Sequence, residues 1–228
     1  AMVLALERHL VEFNDRVRRG DYPIPYEWMK PHRPCELTVG FVGFGRIARQ
    51  AAKKLSDAFE MRVIAYDPFL SAEEITSAGG RKAELDEVMR ESDFVSINVS
   101  LLPSTRDLIG RRELALMKPT AFLINCSRGG IVNEEDLIEA LEKKRIAGAG
   151  LDTFTREPLP KDSPFCRLDN VIMTPHAAWY TVEAMGDVQR VAAEQVALVL
   201  TGQKPTRCVN YEEANKYKNR RTQWNRRR

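Results

Sequence analysis

The sequence predicts an α/β fold in which helices cover both faces of a parallel sheet. Short apolar segments alternate along the chain with longer segments of helical periodicity. Strands this apolar are typical of parallel sheets that are buried between two layers of helices. A glycine-rich turn joins the first predicted strand to the helix that follows it, as in doubly wound sheets. Because 43% of the 228 residues are hydrophobic, the chain can bury a core of this kind.

The N-terminal segment, residues 1–36, is predicted to be a helix followed by an irregular connector. Apolar residues recur in steps of three and four from Val3 to Val17, so they lie on one stripe of a helix. Gly20 then supplies a helix stop. Four prolines follow between residues 23 and 34, and they exclude a regular helix or a central strand there.

Residues 37–210 carry the predicted strands and the helices between them. We predict strands at residues 37–42, 61–66, 94–99, 120–124, 146–151 and 171–174. We predict helices at residues 45–56, 133–145 and about 181–200. In the second of these helices Asn133 is a suitable N-cap. Acidic residues occupy its first turn and basic residues its last, which matches the helix dipole.

Residues 211–228 form a basic tail that we expect to be disordered. The tail holds seven basic and two acidic residues, so the net charge of +3 belongs to the tail and residues 1–210 are slightly acidic. Three aromatic residues, Tyr211, Tyr217 and Trp224, interleave with the basic residues. The tail could therefore act as an arm whose aromatic rings stack on nucleic-acid bases. A solvated tail is the simpler interpretation, so nucleic acid is not an expected partner.

Several other classes of protein are disfavoured by the sequence. No apolar segment reaches the roughly 18 residues of a membrane span, and charged residues near the N-terminus argue against a signal peptide. The four cysteines are far apart, which argues against a disulfide scaffold and favours the cytoplasm. Neither the cysteines nor the three histidines have metal-ligand spacing, so no metal site is expected.

The turn at residues 43–48 has the spacing of a dinucleotide-binding fingerprint. Gly43 allows the tight turn, and Gly45 lets the backbone approach a pyrophosphate. Ala48 replaces the third glycine and still allows close packing of the helix against the sheet. The N-terminus of this helix favours binding of the pyrophosphate anion. Glycines in such a turn can serve packing alone. Here, however, a predicted strand precedes the turn and a helix follows it, so we predict a Rossmann-type fold.

Asp67 stands at the end of the second predicted strand, 24 residues after Gly43. A carboxylate at this place accepts hydrogen bonds from the ribose hydroxyls of the adenosine. It would also repel a 2′-phosphate, so the predicted cofactor is NAD rather than NADP.

Three polar residues follow later strands and are candidates for catalysis: Arg128, Glu157 and His176. The carboxyl ends of parallel strands face the ligand cleft. A histidine can supply the proton that a carbonyl oxygen needs when a hydride is added, and a carboxylate bound to it favours the charged ring. A guanidinium can bind a substrate carboxylate through two hydrogen bonds and polarise the carbonyl. Each residue alone also has an ordinary structural interpretation, but their joint placement favours a hydride-transfer site.

These residues belong to longer runs that resemble the D-isomer-specific 2-hydroxyacid dehydrogenases. The matching runs are residues 42–49, 66–68, 116–119, 125–132, 149–158 and 174–176, in the family's order. The resemblance covers about residues 1–210. It implies the NAD-binding domain of an NAD-dependent oxidoreductase that acts on a D-2-hydroxyacid, with Arg128, Glu157 and His176 as its catalytic residues.

The resemblance also implies a set of cofactor-binding residues. Asp152 would bond the nicotinamide carboxamide, Arg46 and Ile47 the pyrophosphate, and Thr105 would lie near the adenosine. The full expected set is Gly43, Gly45, Arg46, Ile47, Asp67, Val99, Thr105, Cys126, Ser127, Asp152 and His176.

Family members carry a substrate domain of roughly a hundred residues before the stretch where this chain begins. We therefore expect most of that domain to be missing, and the fragment alone to catalyse weakly or not at all. The family's dimer interface includes the N-terminal helix, so the expected partners are a second copy and a small 2-ketoacid or 2-hydroxyacid.

Two alternatives remain open at this point. The run after His176 is closer to the D-lactate dehydrogenases and the C-terminal-binding corepressors than to other branches. A non-enzymatic NAD-sensing dimerisation module, similar to the corepressors, is therefore the second functional hypothesis. Trp179 would narrow the substrate pocket, or else it is a core or interface residue.

Overall fold

Seven strands form a sheet in the computed structural model, which describes residues 1–27, 30–208 and 210–211. The strands are β1 (Thr38–Val42), β2 (Arg62–Tyr66), β3 (Arg81–Lys82), β4 (Phe94–Ile97), β5 (Phe122–Asn125), β6 (Gly148–Leu151) and β7 (Val171–Met173). The α-helices are α1 (Met2–Glu7), α2 (Leu10–Arg18), α3 (Arg46–Phe59), α4 (Ala72–Ser77), α5 (Leu85–Glu91), α6 (Arg111–Leu116), α7 (Glu134–Glu142) and α8 (Val182–Leu200).

All neighbouring strands of the sheet are parallel, in the order β3-β2-β1-β4-β5-β6-β7. The chain moves outward from β1 to β3 and then returns to β4 on the other side of β1. The strand order therefore reverses between β1 and β4, which is the place where doubly wound sheets bind their ligands. This topology confirms the predicted fold class. All six predicted strands are present, and each observed strand end lies within two residues of the predicted one. Strand β3 is an additional edge strand.

The apolar core lies on both faces of the sheet. Val39 and Phe41 of β1 pack in one cluster with buried residues of α1, α3 and α4. Val42, at the next position, packs in the other cluster with buried residues of α5, α6 and α7. Successive side chains of a strand point to opposite faces, so β1 is buried on both sides, as a central parallel strand must be.

The prediction of one continuous N-terminal helix is wrong, because the chain breaks into α1 and α2. His9 lies between them in the left-handed region, with φ of 46°. Leu6 of α1 is buried against the sheet, and the His9 ring meets Phe122 of β5 edge-on with 6.5 Å between centroids. Leu10 and Val17, which continue the apolar stripe on α2, are more than half exposed. Packing against the sheet has therefore overridden the helical periodicity.

Helix α7 begins as predicted, with the Asn133 side chain accepting a hydrogen bond from Asp136 N at 3.0 Å. The helix ends at Glu142, so the basic residues 143–145 follow its last turn instead of occupying it. The short helices α4, α5 and α6 lie in stretches that the periodicity left unassigned.

The described residues up to position 178 and those from position 179 onward form two separate compact units. The second unit contains α8, whose N-cap Thr181 accepts a hydrogen bond from Ala184 N at 3.0 Å, as the sequence predicts for a helix at 181–200. The predicted basic tail lies, apart from Tyr211, outside the described residues. No helix in the described part of the chain has the length and apolar character needed to cross a membrane.

Candidate active site

The glycine turn between β1 and α3 has a geometry that only glycine at its first position allows. Gly43 has φ of +86°, and a Cβ there would lie 2.7 Å from Val99 Cγ1 and 2.8 Å from Asn98 O. Gly45 differs, because its Cβ would meet no atom within 4 Å. The turn is thus closed on the side of β4 and open beside Gly45, and this open side is where a pyrophosphate can approach the backbone.

The N-terminus of α3 carries the groups that bind an anion. Its N-cap is Gly45, which provides no side-chain cap, so the first N–H groups of the helix keep their capacity for an external acceptor. Arg46 and Ile47 are both exposed, and Ile47 keeps 80% of its accessible surface. An exposed isoleucine and arginine beside free N–H groups can cover a bound pyrophosphate and pair with its charge. The residues present therefore fit a dinucleotide.

Asp67, at the end of β2, is fixed against the glycine turn. Its Oδ2 accepts a hydrogen bond from Phe44 N at 2.9 Å, and its Oδ1 accepts one from Phe69 N at 3.0 Å. Each carboxylate oxygen has a second lone pair, so both can still accept a bond from a ribose hydroxyl. The structure thus places the Asp67 carboxylate next to the glycine turn.

His176 and Glu157 come together although 19 residues separate them along the chain. Nδ1 of His176 lies 2.8 Å from Oε2 of Glu157, and Oε1 of the same carboxylate accepts a hydrogen bond from Phe154 N at 2.9 Å. The bond with His176, followed by the bond from Phe154 N, lowers the pKa of Glu157. His176 has φ of 55°, a left-handed conformation that is uncommon outside glycine and is concentrated at functional sites.

Asp152 fixes the backbone on both sides of His176. It is buried, and its Oδ1 accepts hydrogen bonds from Ala177 N at 2.8 Å and from the Thr174 hydroxyl, while Oδ2 accepts one from Ala178 N at 3.0 Å. Burial alone would raise the pKa of Asp152, but the bonds from Thr174, Ala178 and Ala177 outweigh it and lower the pKa. Thr174 stands in the matching run 174–176, but its bond to Asp152 and the bonds from the two N–H groups form only in the folded chain, so the sequence alone does not indicate them.

The acid stability of the fold is expected to depend on Asp152. A carboxylate whose pKa is lowered by folding stabilises the fold at pH values above its pKa in the unfolded chain, 3.8. This contribution is lost as the pH falls through the lower pKa of the folded chain. Asp152→Asn should therefore lower the free energy of unfolding by about 1–3 kcal/mol at pH 7, with a smaller loss near pH 3. Urea unfolding at both pH values measures this difference. Asp162→Asn, an exposed control, should change little, and an equal Asp152→Asn loss at both pH values would contradict the account.

Arg128 lies on a turn after β5 that is held by Asn125. The buried Asn125 side chain donates to Arg128 O at 2.9 Å and accepts from Ser127 N at 3.0 Å. Arg128 itself donates to Ser127 O at 2.6 Å. The next residue, Gly129, touches the loop that carries Glu157, since a Cβ there would lie 2.0 Å from Phe154 C. Asn125 and Gly129 stand in the matching run 125–132, but the sequence alone does not indicate these roles.

The remaining predicted cofactor residues have varied contacts. Ser127 donates its hydroxyl to Val99 O, and Val99 in turn packs on the glycine turn. Thr105 uses its hydroxyl within its own turn, donating to Ser100 O at 2.6 Å. Cys126 is exposed as a residue, but partial desolvation of its sulfur, together with the negative charge of Asp152, raises the pKa of the thiol to about 11, so this thiol is neutral at physiological pH. Cys126 is therefore suited to lining a site and not to nucleophilic attack.

Thr153, next to Asp152, offers a stability test. Its hydroxyl is buried and has no hydrogen-bond partner in the part of the chain that the structure describes. Valine has the same shape without the hydroxyl, so Thr153→Val should raise the free energy of unfolding by about 1 kcal/mol. Chemical denaturation measures this change in the free energy of unfolding. Thr174→Val, which removes a hydroxyl bonded to Asp152, should have the opposite sign, and a destabilising Thr153→Val would contradict the expectation.

The site defines a dinucleotide-binding domain of the doubly wound α/β class. Four features support this: the reversal of strand order, the open glycine turn, Asp67 and the N-terminus of α3. No group of three His, Cys, Asp or Glu residues within the described ranges could hold a metal ion. The contacts of the site join His176 to Glu157 and the Arg128 turn to the Glu157 loop, while Thr105 stays within its own turn.

The chain belongs to the D-isomer-specific 2-hydroxyacid dehydrogenase family. Residues 1–178 match the model of the family's NAD-binding domain. D-3-phosphoglycerate dehydrogenase of Methanocaldococcus jannaschii is 38% identical over 213 residues, which are 92% of this chain and 39% of that protein. Glyoxylate/hydroxypyruvate reductase B of Pectobacterium carotovorum is 39% identical over 212 residues, which are 92% of this chain and 66% of that protein.

Solved structures with the same fold include D-lactate dehydrogenase with NAD+ from Lactobacillus jensenii. It superposes with a TM-score of 0.82 at 31% identity, and the match covers 90% of this chain and 64% of that one. The NAD-complexed D-isomer-specific 2-hydroxyacid dehydrogenase of Lactobacillus delbrueckii gives a TM-score of 0.81 at 33% identity, covering 91% and 66%. The chain thus spans about two fifths to two thirds of the length of these relatives.

Proposed function

We propose that this chain is the cofactor-binding part of an NAD-dependent oxidoreductase that interconverts a 2-ketoacid and a D-2-hydroxyacid. The observation that carries the proposal is the contact of 2.8 Å between His176 Nδ1 and Glu157 Oε2. It lies at the sheet edge that also presents the glycine turn, because the loops after parallel strands share one edge. The family membership and the relatives solved with NAD support the same assignment.

The chemistry divides among three side chains of this chain. NADH, when bound, supplies the hydride for the reduction of the ketoacid. His176 donates a proton from Nε2 to the carbonyl oxygen and takes it back in the reverse direction, while Glu157 holds Nδ1 and stabilises the charged ring. Arg128 binds the ketoacid carboxylate and polarises the neighbouring carbonyl.

The cofactor preference is assigned to Asp67. Its carboxylate is held beside the glycine turn by Phe44 N and Phe69 N, at the place where the adenosine ribose is bound in such folds. A 2′-phosphate would meet this negative charge, which favours NAD over NADP.

Turnover should depend on His176. In the full-length protein that carries this chain, His176→Ala should lower kcat for 2-ketoacid reduction by about 10²- to 10⁴-fold, because the proton donor is lost. A spectrophotometric NADH assay with glyoxylate, hydroxypyruvate and pyruvate measures it. His32→Ala removes an exposed histidine from the connector and serves as the control with normal turnover. Unchanged turnover in His176→Ala would contradict the mechanism, and saturable NADH binding without turnover in the wild type would favour the non-enzymatic module.

We also propose that the chain forms a homodimer through the N-terminal apolar surface, which comprises Leu10, Val17, Tyr22, Ile24 and Tyr26. All five are close to half exposed or more in the structure. Exposed apolar side chains concentrated in one segment of the chain favour an interaction site there. Sedimentation should therefore detect a dimer at micromolar concentration, and Leu10→Lys should weaken it. A wild-type chain that is monomeric throughout would refute the proposal.

For the domain organisation and the compartment, we retain the assignments made from the sequence. Residues 1–36 are proposed as a linking segment, 37–210 as the NAD-binding domain and 211–228 as a tail. The four cysteines are free thiols, which suits the reducing cytoplasm. Cell fractionation tests the compartment.

A further inference from the structure

Glu134, the first residue of α7, makes a contact that its place on the helix does not require. Its Oε1 accepts a hydrogen bond of 2.6 Å from Thr155 N, which lies 21 residues further along the chain in the loop after β6. Glu134 is half-buried, and its helix begins six residues after Arg128. The bond therefore links the segment after Arg128 to the loop that ends at Glu157.

Two adjacent backbone N–H groups in this loop are held by two different carboxylates. Phe154 N donates to Glu157 Oε1 at 2.9 Å, and Thr155 N donates to Glu134 Oε1. The peptide bond is planar, so a fixed Thr155 N–H also fixes the orientation of the Phe154 carbonyl. The other side of that peptide is fixed as well, because Gly129 lies so close that a Cβ would be 2.0 Å from Phe154 C.

The N–H that holds the Glu157 carboxylate belongs to the preceding peptide, Thr153–Phe154, which shares the Cα of Phe154 with the peptide that Glu134 fixes. Oε1 of Glu157 is held by the loop backbone, and Oε2 is thereby directed to His176 Nδ1. We propose that Glu134 is a positioning residue for the His176–Glu157 pair, acting through the backbone of residues 154–155. This inference rests on the proposed function for its consequence in turnover, but the contact itself can be tested without turnover.

The chain offers a matched control and a conservative variant. Glu135 occupies the same first turn of α7 with the same charge and the same relation to the helix dipole, but its side chain is exposed. Glu134→Ala and Glu135→Ala therefore remove equal charge from the same helix end. Glu134→Gln keeps an oxygen that can accept the bond from Thr155 N.

Amide hydrogen exchange and carboxyl NMR on the chain test the contact directly. Glu134→Ala should speed exchange at Thr155 and Phe154 by at least about tenfold relative to wild type. It should also raise the pKa of Glu157 toward its ordinary value, since the bonds from His176 and Phe154 N that lower it become less well aligned. Glu135→Ala should change neither quantity, and Glu134→Gln should restore both to near the wild-type values.

In the full-length protein, Glu134→Ala should lower kcat by roughly tenfold and leave the KM for NADH unchanged. A full-length wild type without turnover would refute the proposed function, and the exchange and pKa data would still decide this inference. Equal exchange at Phe154 and Thr155 in Glu134→Ala and Glu135→Ala, with the pKa of Glu157 unmoved, would overturn it.

Discussion

Replacing Gly45 with valine is expected to weaken NADH binding by at least about 30-fold, the equivalent of roughly 2 kcal/mol in charge-assisted hydrogen bonds. The physical reason is the open space beside this glycine, which the pyrophosphate needs in order to reach the N–H groups of α3. A valine side chain would occupy that space. Isothermal titration calorimetry with NADH measures the loss.

The same variant is expected to fold normally. Gly45 has φ of −72° and ψ of −169°, which any residue adopts, and its Cβ would contact no other atom within 4 Å. The melting temperature should therefore stay within about 2–4 °C of the wild type, or about 1 kcal/mol. Gly186→Val, at a second glycine with open space, should leave NADH affinity unchanged. Wild-type affinity in Gly45→Val would show that the cofactor does not approach the turn there.

Replacing Gly129 with alanine is expected to have the largest effect on stability. The added Cβ would lie 2.0 Å from Phe154 C, 2.2 Å from Phe154 O and 2.3 Å from Thr155 N. These are backbone atoms in the loop after β6, so a side-chain rotation cannot relieve the overlap. We expect a loss of about 3 kcal/mol or more in the free energy of unfolding, which corresponds to roughly 10 °C in Tm.

The loop that carries Glu157 should move in the Gly129→Ala variant, so turnover should fall beyond what the lost stability explains. Urea unfolding gives the free energy, and assays well below the Tm give the activity. Gly186→Ala, in the interior of α8, is the control and should stabilise by about 0.5–1 kcal/mol. A Gly129→Ala variant as stable as the wild type would contradict the close approach of the two loops.

The sheet was predictable because each central strand is apolar on both faces. The first strand shows this directly, since Val39 and Phe41 face one cluster of the core and Val42 faces the other. The helices α4 and α6 have six residues each and α5 has seven. Segments this short are stabilised by packing on the sheet and carry little periodicity of their own. The break between α1 and α2 at His9 could not be predicted from the sequence either, because the apolar stripe continues across it.

The residues of the site differ in how far the sequence could identify them. Asp67, Glu157 and His176 each follow a strand, and the shared sheet edge explains why their loops meet there. Asn125 and Glu134 act through hydrogen bonds that only the folded backbone creates. Glu134 in particular has the ordinary place of an acidic residue in the first turn of a helix, and that place gave no sign of its bond to Thr155.

The chain is expected to bind NAD over the glycine turn, and titration of the chain with NADH tests this binding. Calorimetry and nicotinamide fluorescence should show saturable binding of one NADH per chain, with competition by NAD+. NADPH should bind at least about tenfold more weakly, because Asp67 repels the 2′-phosphate. Absence of saturable NADH binding to a folded chain, or binding that Gly45→Val leaves unchanged, would contradict the claim.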